Sequence, residues 1–209
     1  MVYVFLADGF EEIEALTVID VLRRAEIETY SVAARKEEKN TVCTEGSCSC
    51  NIELSRGSLE VTGAHGITVK ADLSFDSADF DACRMIVLPG GMAGTLNLQE
   101  HAGLASEIKR FAAASGSEEK YVAAICAAPM VLGALGILRG KRATIYPGME
   151  EYLTDAVPMK NRVVVDENLI TSKGPGTAME FAVELAAVLK GKKTAEDLIS
   201  DLVMGAGRI

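Results

Sequence analysis

What most constrains this chain is its alternation of short strand-forming runs with longer stretches of helical period. Met1–Leu6, Glu28–Ala33, Met85–Leu88 and Tyr121–Ile125 read as strands. Helical patterns cover about Glu11–Ala25, Gly103–Ala114, a stretch opening near Pro129, Ala178–Leu189 and Ala195–Val203. Strands this short and this apolar are buried on both faces, and the intervening amphipathic segments supply the crossovers that parallel strands need. The pattern predicts an α/β fold with a mostly parallel central sheet. The stretch Arg162–Thr171 departs from it and predicts a hairpin turning at Asp166–Asn168.

The 209 residues are read as a single domain, 1–209, with an excursion of loops and short strands at about 35–72. That excursion is charged at Arg35–Lys39, carries Cys43, Cys48 and Cys50, and turns strand-like near Leu59–Val61 and Gly66–Val69. It is expected on the sheet edge. Thirty acidic residues against 21 basic ones give a net charge of −9, which argues against a duplex nucleic-acid binder. No run approaches the roughly 20 apolar residues of a membrane span. The first apolar run meets Asp8 too soon to be a signal-peptide core. Five cysteines are too few and too irregular for a disulfide scaffold. The expectation is a soluble, acidic, cytoplasmic protein with no membrane association.

The chemistry concentrates at Ala123-Ala-Ile-Cys126-Ala-Ala-Pro129. A buried strand runs straight into Cys126, small residues flank it, and a proline suited to a first helical position follows. This is the pattern of a nucleophile elbow, where a sharp strand-to-helix turn projects a reactive side chain and small neighbours make room. A helix N-terminus beyond it would favour thiolate over thiol. The bland alternative is an inert, buried cysteine.

Two further segments lie after strands. Pro89-Gly90-Gly91-Met-Ala-Gly94 fits neither dinucleotide- nor ATP-binding glycine patterns, so no cofactor is called for. It reads either as a tight turn or as half of an oxyanion hole completed by the amide of Ala127. Asp8-Gly-Phe-Glu11-Glu12-Ile-Glu14 leads into the first helix, and three glutamates there suit the helix dipole. Glu14 differs from its neighbours because Val18 and Val21 share its helical face. Burial would raise its pKa and fit it to donate or move a proton. The two histidines, His65 and His101, read as solvated surface residues. Cys43-x4-Cys48-x-Cys50 lacks zinc-finger spacing and reads as an incidental reduced cluster, so no metal site is assigned.

Taken together and in order, Leu6–Glu14, Asp20–Arg24, Val87–Gly91, Ala123–Pro129 and Thr171–Phe181 resemble the ThiJ/PfpI superfamily, in particular its DJ-1/YajL-like branch. The resemblance implies a flavodoxin-like three-layer sandwich and a homodimer. It gives Cys126 the nucleophile role and Glu14 that of its partner acid, with Gly90, Gly91 and Ala127 lining an anion pocket. It places Arg24 near the dimer interface, and makes Tyr146 and His65 auxiliary candidates. Two positions depart from the pattern. Ala127 stands where the protease-like branch has histidine directly after the cysteine, and Tyr146 stands where DJ-1 has a histidine before proline. His65 falls where DJ-1 carries an anion-binding arginine.

The function expected from this resemblance is cysteine-dependent detoxification of reactive dicarbonyls: glyoxalase- or deglycase-like action on methylglyoxal or its early protein or nucleotide adducts. Small aldehydes and glycated groups would be the substrates. The alternative is a redox-sensing or chaperone protein signalled by Cys126 oxidation without steady turnover. An amidase- or peptidase-like hydrolase is the weaker alternative, since Ala127 replaces the histidine it would need.

Overall fold

A computed structural model describes residues 1–35, 58–114 and 119–205. A seven-stranded sheet runs β10-β11-β7-β6-β1-β2-β5. Its strands are β1 (Val2–Leu6), β2 (Thr29–Ala33), β5 (Leu73–Ser74), β6 (Met85–Leu88), β7 (Tyr121–Ile125), β10 (Val163–Asp166) and β11 (Leu169–Ser172). All neighbours pair in parallel except β10 with β11, the antiparallel hairpin read from the sequence. Every residue of β1, β6 and β11 is buried, as strands covered on both faces require.

The two faces hold separate cores. On one, Val2, Val4 and Leu6 pack with α1 (Glu12–Arg24), α5 (Ala178–Lys190) and α6 (Lys192–Asp201). On the other, Tyr3 and Phe5 pack with α2 (Met92–Gln99), α3 (Ala102–Ala113) and α4 (Pro129–Ala134). The result is a three-layer α/β sandwich of flavodoxin-like type.

After β1 the chain builds β2 and β5 outward on one side. It then returns to the other side of β1 for β6 and β7. Strand order therefore reverses between β1 and β6, and the crevice beyond the carboxyl ends of such strands is where α/β sheets bind ligands. The loops at that crevice are the three singled out by sequence: residues 7–11 after β1, 89–91 after β6, and Cys126–Ala128 after β7.

The excursion differs from its expectation. Its described part forms a separate two-stranded sheet, β3 (Glu60–Thr62) antiparallel to β4 (Thr68–Lys70), and only β5 joins the main sheet's edge. The hairpin docks on the loop after β1, with Gly9 N–H donating to Thr62 O and Ala64 N–H to Phe10 O. Cys43, Cys48 and Cys50 lie outside the described residues. A small parallel pair, β8 (Arg142–Ala143) with β9 (Val157–Pro158), was not anticipated, and neither was α2. Among the described residues, no helix is long and apolar enough to cross a membrane.

Candidate active site

Cys126 adopts φ +63°, a left-handed conformation that a residue with a Cβ rarely takes. Hydrogen bonds hold it there: its amide donates to Ser172 O at 3.0 Å and its carbonyl accepts from Tyr146 N at 2.9 Å. Pro129 opens α4 at its first turn, as the sequence predicts. The side chain is thus projected from the end of β7 toward the loop after β6.

Glu14 meets it from the first helix. Val18 and Val21, on the same helical face, are buried, and Glu14 itself is fully buried. Its Oε2 accepts from Gly90 N at 2.7 Å. A Cβ at Gly90 would lie 2.5 Å from Cys126 Cβ, 2.7 Å from Glu14 Oε2 and 3.1 Å from Cys126 Sγ. Gly90 is therefore glycine because the thiol and the carboxyl converge on its α-carbon. The Gly90 amide is committed to Glu14, whereas the amides of Gly91 and Ala127 act on the Cys126 sulfur.

Gly91 serves the site by close approach. It sits at φ +84°, and a Cβ there would run into Gly9 O and come 2.8 Å from Glu11 N. The loops after β1 and β6 are zipped by Glu11 N–H to Gly90 O at 2.9 Å.

The electrostatics correct one expectation. The helix beyond Cys126 is only six residues long and begins three residues after it, too short and too late to secure a thiolate. Burial pushes the Cys126 thiol up to about 12, the charge of Glu14 and its hydrogen bond to the sulfur add to that, and the Gly91 and Ala127 amides pull the other way. Burial likewise pushes the Glu14 carboxyl up to about 7, against the Gly90 amide and the Cys126 contact, which favour its charged form. The two groups behave as a pair. One proton leaves near neutrality and the second stays, because two adjacent buried negative charges are costly.

The three glutamates have three tasks. Glu11 Oε2 caps α1 by accepting from Glu14 N at 2.8 Å. Glu12 latches the hairpin: its carboxylate accepts from His65 N at 2.7 Å and contacts His65 Nδ1 at 2.8 Å. Burial acts to raise the Glu12 carboxyl, but the His65 hydrogen bonds outweigh it and hold it low, and the same pairing raises His65. Glu11, Glu12 and His65 each bring one ligand-type atom within 4.8 Å of the others. Both Glu12 oxygens and Glu11 Oε2 already accept hydrogen bonds, so the cluster reads as a latch.

The remaining predicted positions divide. Tyr146 is joined to Cys126 through its amide, and its ring approaches Gly174, which the sequence reading did not single out. His65 touches Glu12, two residues before the acid of the pair, and its ring is exposed as predicted. His101 is not a solvated histidine: it is buried, accepts from Leu104 N through Nδ1 at 3.1 Å, and stacks on Phe75. Arg24 pairs with Asp20 at 2.9 Å, ten residues along α1 from Glu14. That spacing is a rise of about 15 Å, which removes it from the site of its own chain.

The DJ-1/PfpI family model matches residues 1–188. Protein DJ-1 homolog B of Arabidopsis thaliana is 35% identical over 189 residues, which are 90% of this chain and 37% of that protein. The chain thus spans well under half the length of that relative. A deglycase of Pyrococcus abyssi is 32% identical over 191 residues, covering 90% of this chain and 99% of its own. The solved structure of oxidized DJ-1 from Toxoplasma gondii superposes with a TM-score of 0.81 at 31% identity, covering 97% of each chain. The pairing of Cys126 with the buried Glu14 at the sheet's reversal point thus belongs to a member of the DJ-1/PfpI family.

Proposed function

We propose that the protein converts reactive 2-oxoaldehydes such as methylglyoxal, free or as early adducts, to 2-hydroxy acids at Cys126. The observation that carries this reading is the pairing of an elbow cysteine with a buried carboxyl that titrates near neutrality. The Cys126 sulfur forms a bond to the aldehyde carbon, its proton passing to Glu14, and the carbonyl electrons become an oxyanion received by the Gly91 and Ala127 amides. Protonation gives a hemithioacetal. Glu14 then removes the proton on the former aldehyde carbon and returns one to the neighbouring carbonyl carbon, through an enediol, leaving a lactoyl thioester. Water cleaves the thioester to lactate and restores the thiol. The sequence is an internal redox isomerisation plus a hydrolysis, so it needs no external oxidant or reductant. The deglycase similarity is consistent with such chemistry. Lactate formation from methylglyoxal by the wild type, abolished in Cys126→Ala, tests it; no lactate from the wild type would overturn it.

A second reading has its own support. Cys126 is partly exposed, whereas Cys83, the other described cysteine, is fully buried with its thiol donating to Met85 O. Among the described cysteines, oxidation would therefore favour Cys126, as a redox sensor requires.

The chain is also read as a homodimer. Ile13 and Leu16 leave exposed apolar surface on α1, on the helical face that continues through Asp20 to Arg24. A second copy packing there would bring Arg24 to an interface. Sedimentation analysis of wild type and Leu16→Glu tests this, and a monomeric wild type would refute it.

A further inference from the structure

The two oxygens of Glu14 differ in their surroundings. Oε2 accepts the Gly90 amide, whereas Oε1 is buried with no hydrogen-bond partner. Leaving a buried acceptor unpaired costs about 1–3 kcal/mol, and such groups concentrate where a ligand completes them.

What Oε1 faces is defined by a glycine. A Cβ at Gly174 would lie 3.9 Å from Glu14 Oε1, 3.3 Å from Tyr146 Cδ2 and 3.6 Å from Tyr146 Cε2. Gly174 has φ 160° and ψ −170°, extended backbone open to any residue. Its conformation does not call for glycine; a Cβ there would press on the Tyr146 ring and reach contact distance of Glu14 Oε1. Tyr146 supplies the other side of that contact. Its amide hydrogen bond to Cys126 O fixes it to the elbow, yet 47% of the residue remains exposed. An aromatic ring tethered beside a nucleophile and left half uncovered is an apolar surface awaiting a partner.

We propose, resting on the dicarbonyl reading above, that Gly174 and Tyr146 form the specificity wall of this site. Glu14 Oε1, unpartnered and beside Gly174, takes the proton that the substrate carbon gives up. The Tyr146 ring packs against the substituent on the ketone carbon. The wall selects 2-oxoaldehydes carrying an alkyl or aryl group over those carrying a carboxylate, which would meet the Glu14 charge. Tyr146 acts here by contact with substrate.

The test separates the wall from the reaction. Cys126 alkylation is measured with phenacyl bromide, which carries an aryl ketone, and with iodoacetamide, which does not. In both, a carbon–sulfur bond forms, halide leaves and the thiol proton passes to water. Each rate is divided by that of glutathione. The wild type is expected to prefer phenacyl bromide at least tenfold, Tyr146→Ala to lose about tenfold of that preference, and Tyr146→Phe to keep it. Gly174→Ala is expected to lower methylglyoxal turnover at least tenfold while iodoacetamide alkylation stays within threefold. An unchanged ratio in Tyr146→Ala, or wild-type turnover in Gly174→Ala, would overturn the wall. Absence of lactate from the wild type would instead overturn the dicarbonyl reading, and the alkylation ratios would then decide the wall alone.

Discussion

Glu14 and Gly90 are joined by a single buried hydrogen bond, from Gly90 N–H to Oε2 at 2.7 Å, and that bond orients the carboxyl beside the Cys126 sulfur. Replacing Glu14 by Gln preserves an oxygen for the amide but removes both the negative charge and the exchangeable proton. Turnover of methylglyoxal should fall by about 10²–10⁴, the usual contribution of a positioned acid/base. Alkylation of Cys126 at pH 7 should become faster, because the charge that opposes its ionisation is gone. Glu12→Gln should affect turnover little, and Glu11→Ala should cost about 1 kcal/mol of stability as a lost helix cap. Slower alkylation in Glu14→Gln would show that Glu14 does not oppose the thiolate.

The raised Glu14 pKa carries a stability signature with a definite sign. The folded protein holds this proton up to about pH 7, whereas the unfolded chain releases it near 4.5, the ordinary carboxylate value. Between those values the native state binds more protons, so stability falls as pH rises, by about 3 kcal/mol in all from this group. Above about pH 7 the loss is complete and the contribution flattens. Glu14→Gln should remove that slope. Urea unfolding of both proteins at pH 5 and pH 8 measures it, and parallel losses in the two would refute the assignment.

Oxidation should begin at Cys126. Burial and a hydrogen bond to Met85 O keep Cys83 out of reach of peroxide, whereas Cys126 is partly exposed. At the elbow, the Gly91 and Ala127 amides and a protonated Glu14 would stabilise a sulfinate by charge-assisted hydrogen bonds. Mild peroxide should therefore take Cys126 to sulfinic acid, and Glu14→Asp, with its carboxyl withdrawn, should stop more of it at sulfenic acid. Peptide mass spectrometry reads both products. A Cys126 disulfide, or first oxidation at Cys83, would contradict the site geometry.

Much of this arrangement was legible in the sequence because it is written in local periodicity. The apolar runs of β1, β6 and β7 and the small residues around Cys126 determine the strands and the elbow within a few positions. The burial of Glu14 followed from its helical register with Val18 and Val21. What stayed hidden depends on contacts distant in sequence. The α2 segment has no apolar stripe to mark it, and two-residue β5 exists only because β2 is there to pair with it. His101 is buried by Phe75 from another element, and Glu12 finds His65 across the excursion. The raised Cys126 thiol was missed because it reflects burial, with the charge of Glu14 added, and the fold alone supplies both. Gly174 gave no signal because its nearness to Glu14 Oε1 and the Tyr146 ring is made only by the fold.

Gly90→Ala is the sharpest test of the site's compactness. The added methyl would lie 2.5 Å from Cys126 Cβ and 2.7 Å from Glu14 Oε2, separations at which something must move. Cys126 is fixed by two backbone hydrogen bonds and a left-handed φ, so its backbone yields least. The Glu14 carboxyl is the movable end, and its displacement breaks the bond from Gly90 N–H. A misplacement of about 1 Å at such a centre can cost 10²-fold in rate. Turnover should drop by at least that factor, and the stability slope between pH 5 and pH 8 should shrink as Glu14 gains water. Gly91→Ala should behave differently. Its Cβ would strike the backbone of Gly9 and Glu11, where no side chain can swing aside, and φ +84° adds strain. That variant should lose several kcal/mol of stability, on the order of an overpacked core, before any question of rate arises. Thermal melts beside methylglyoxal assays distinguish the two. A Gly90→Ala protein with full activity would mean that the thiol and carboxyl are not held as close as the structure places them.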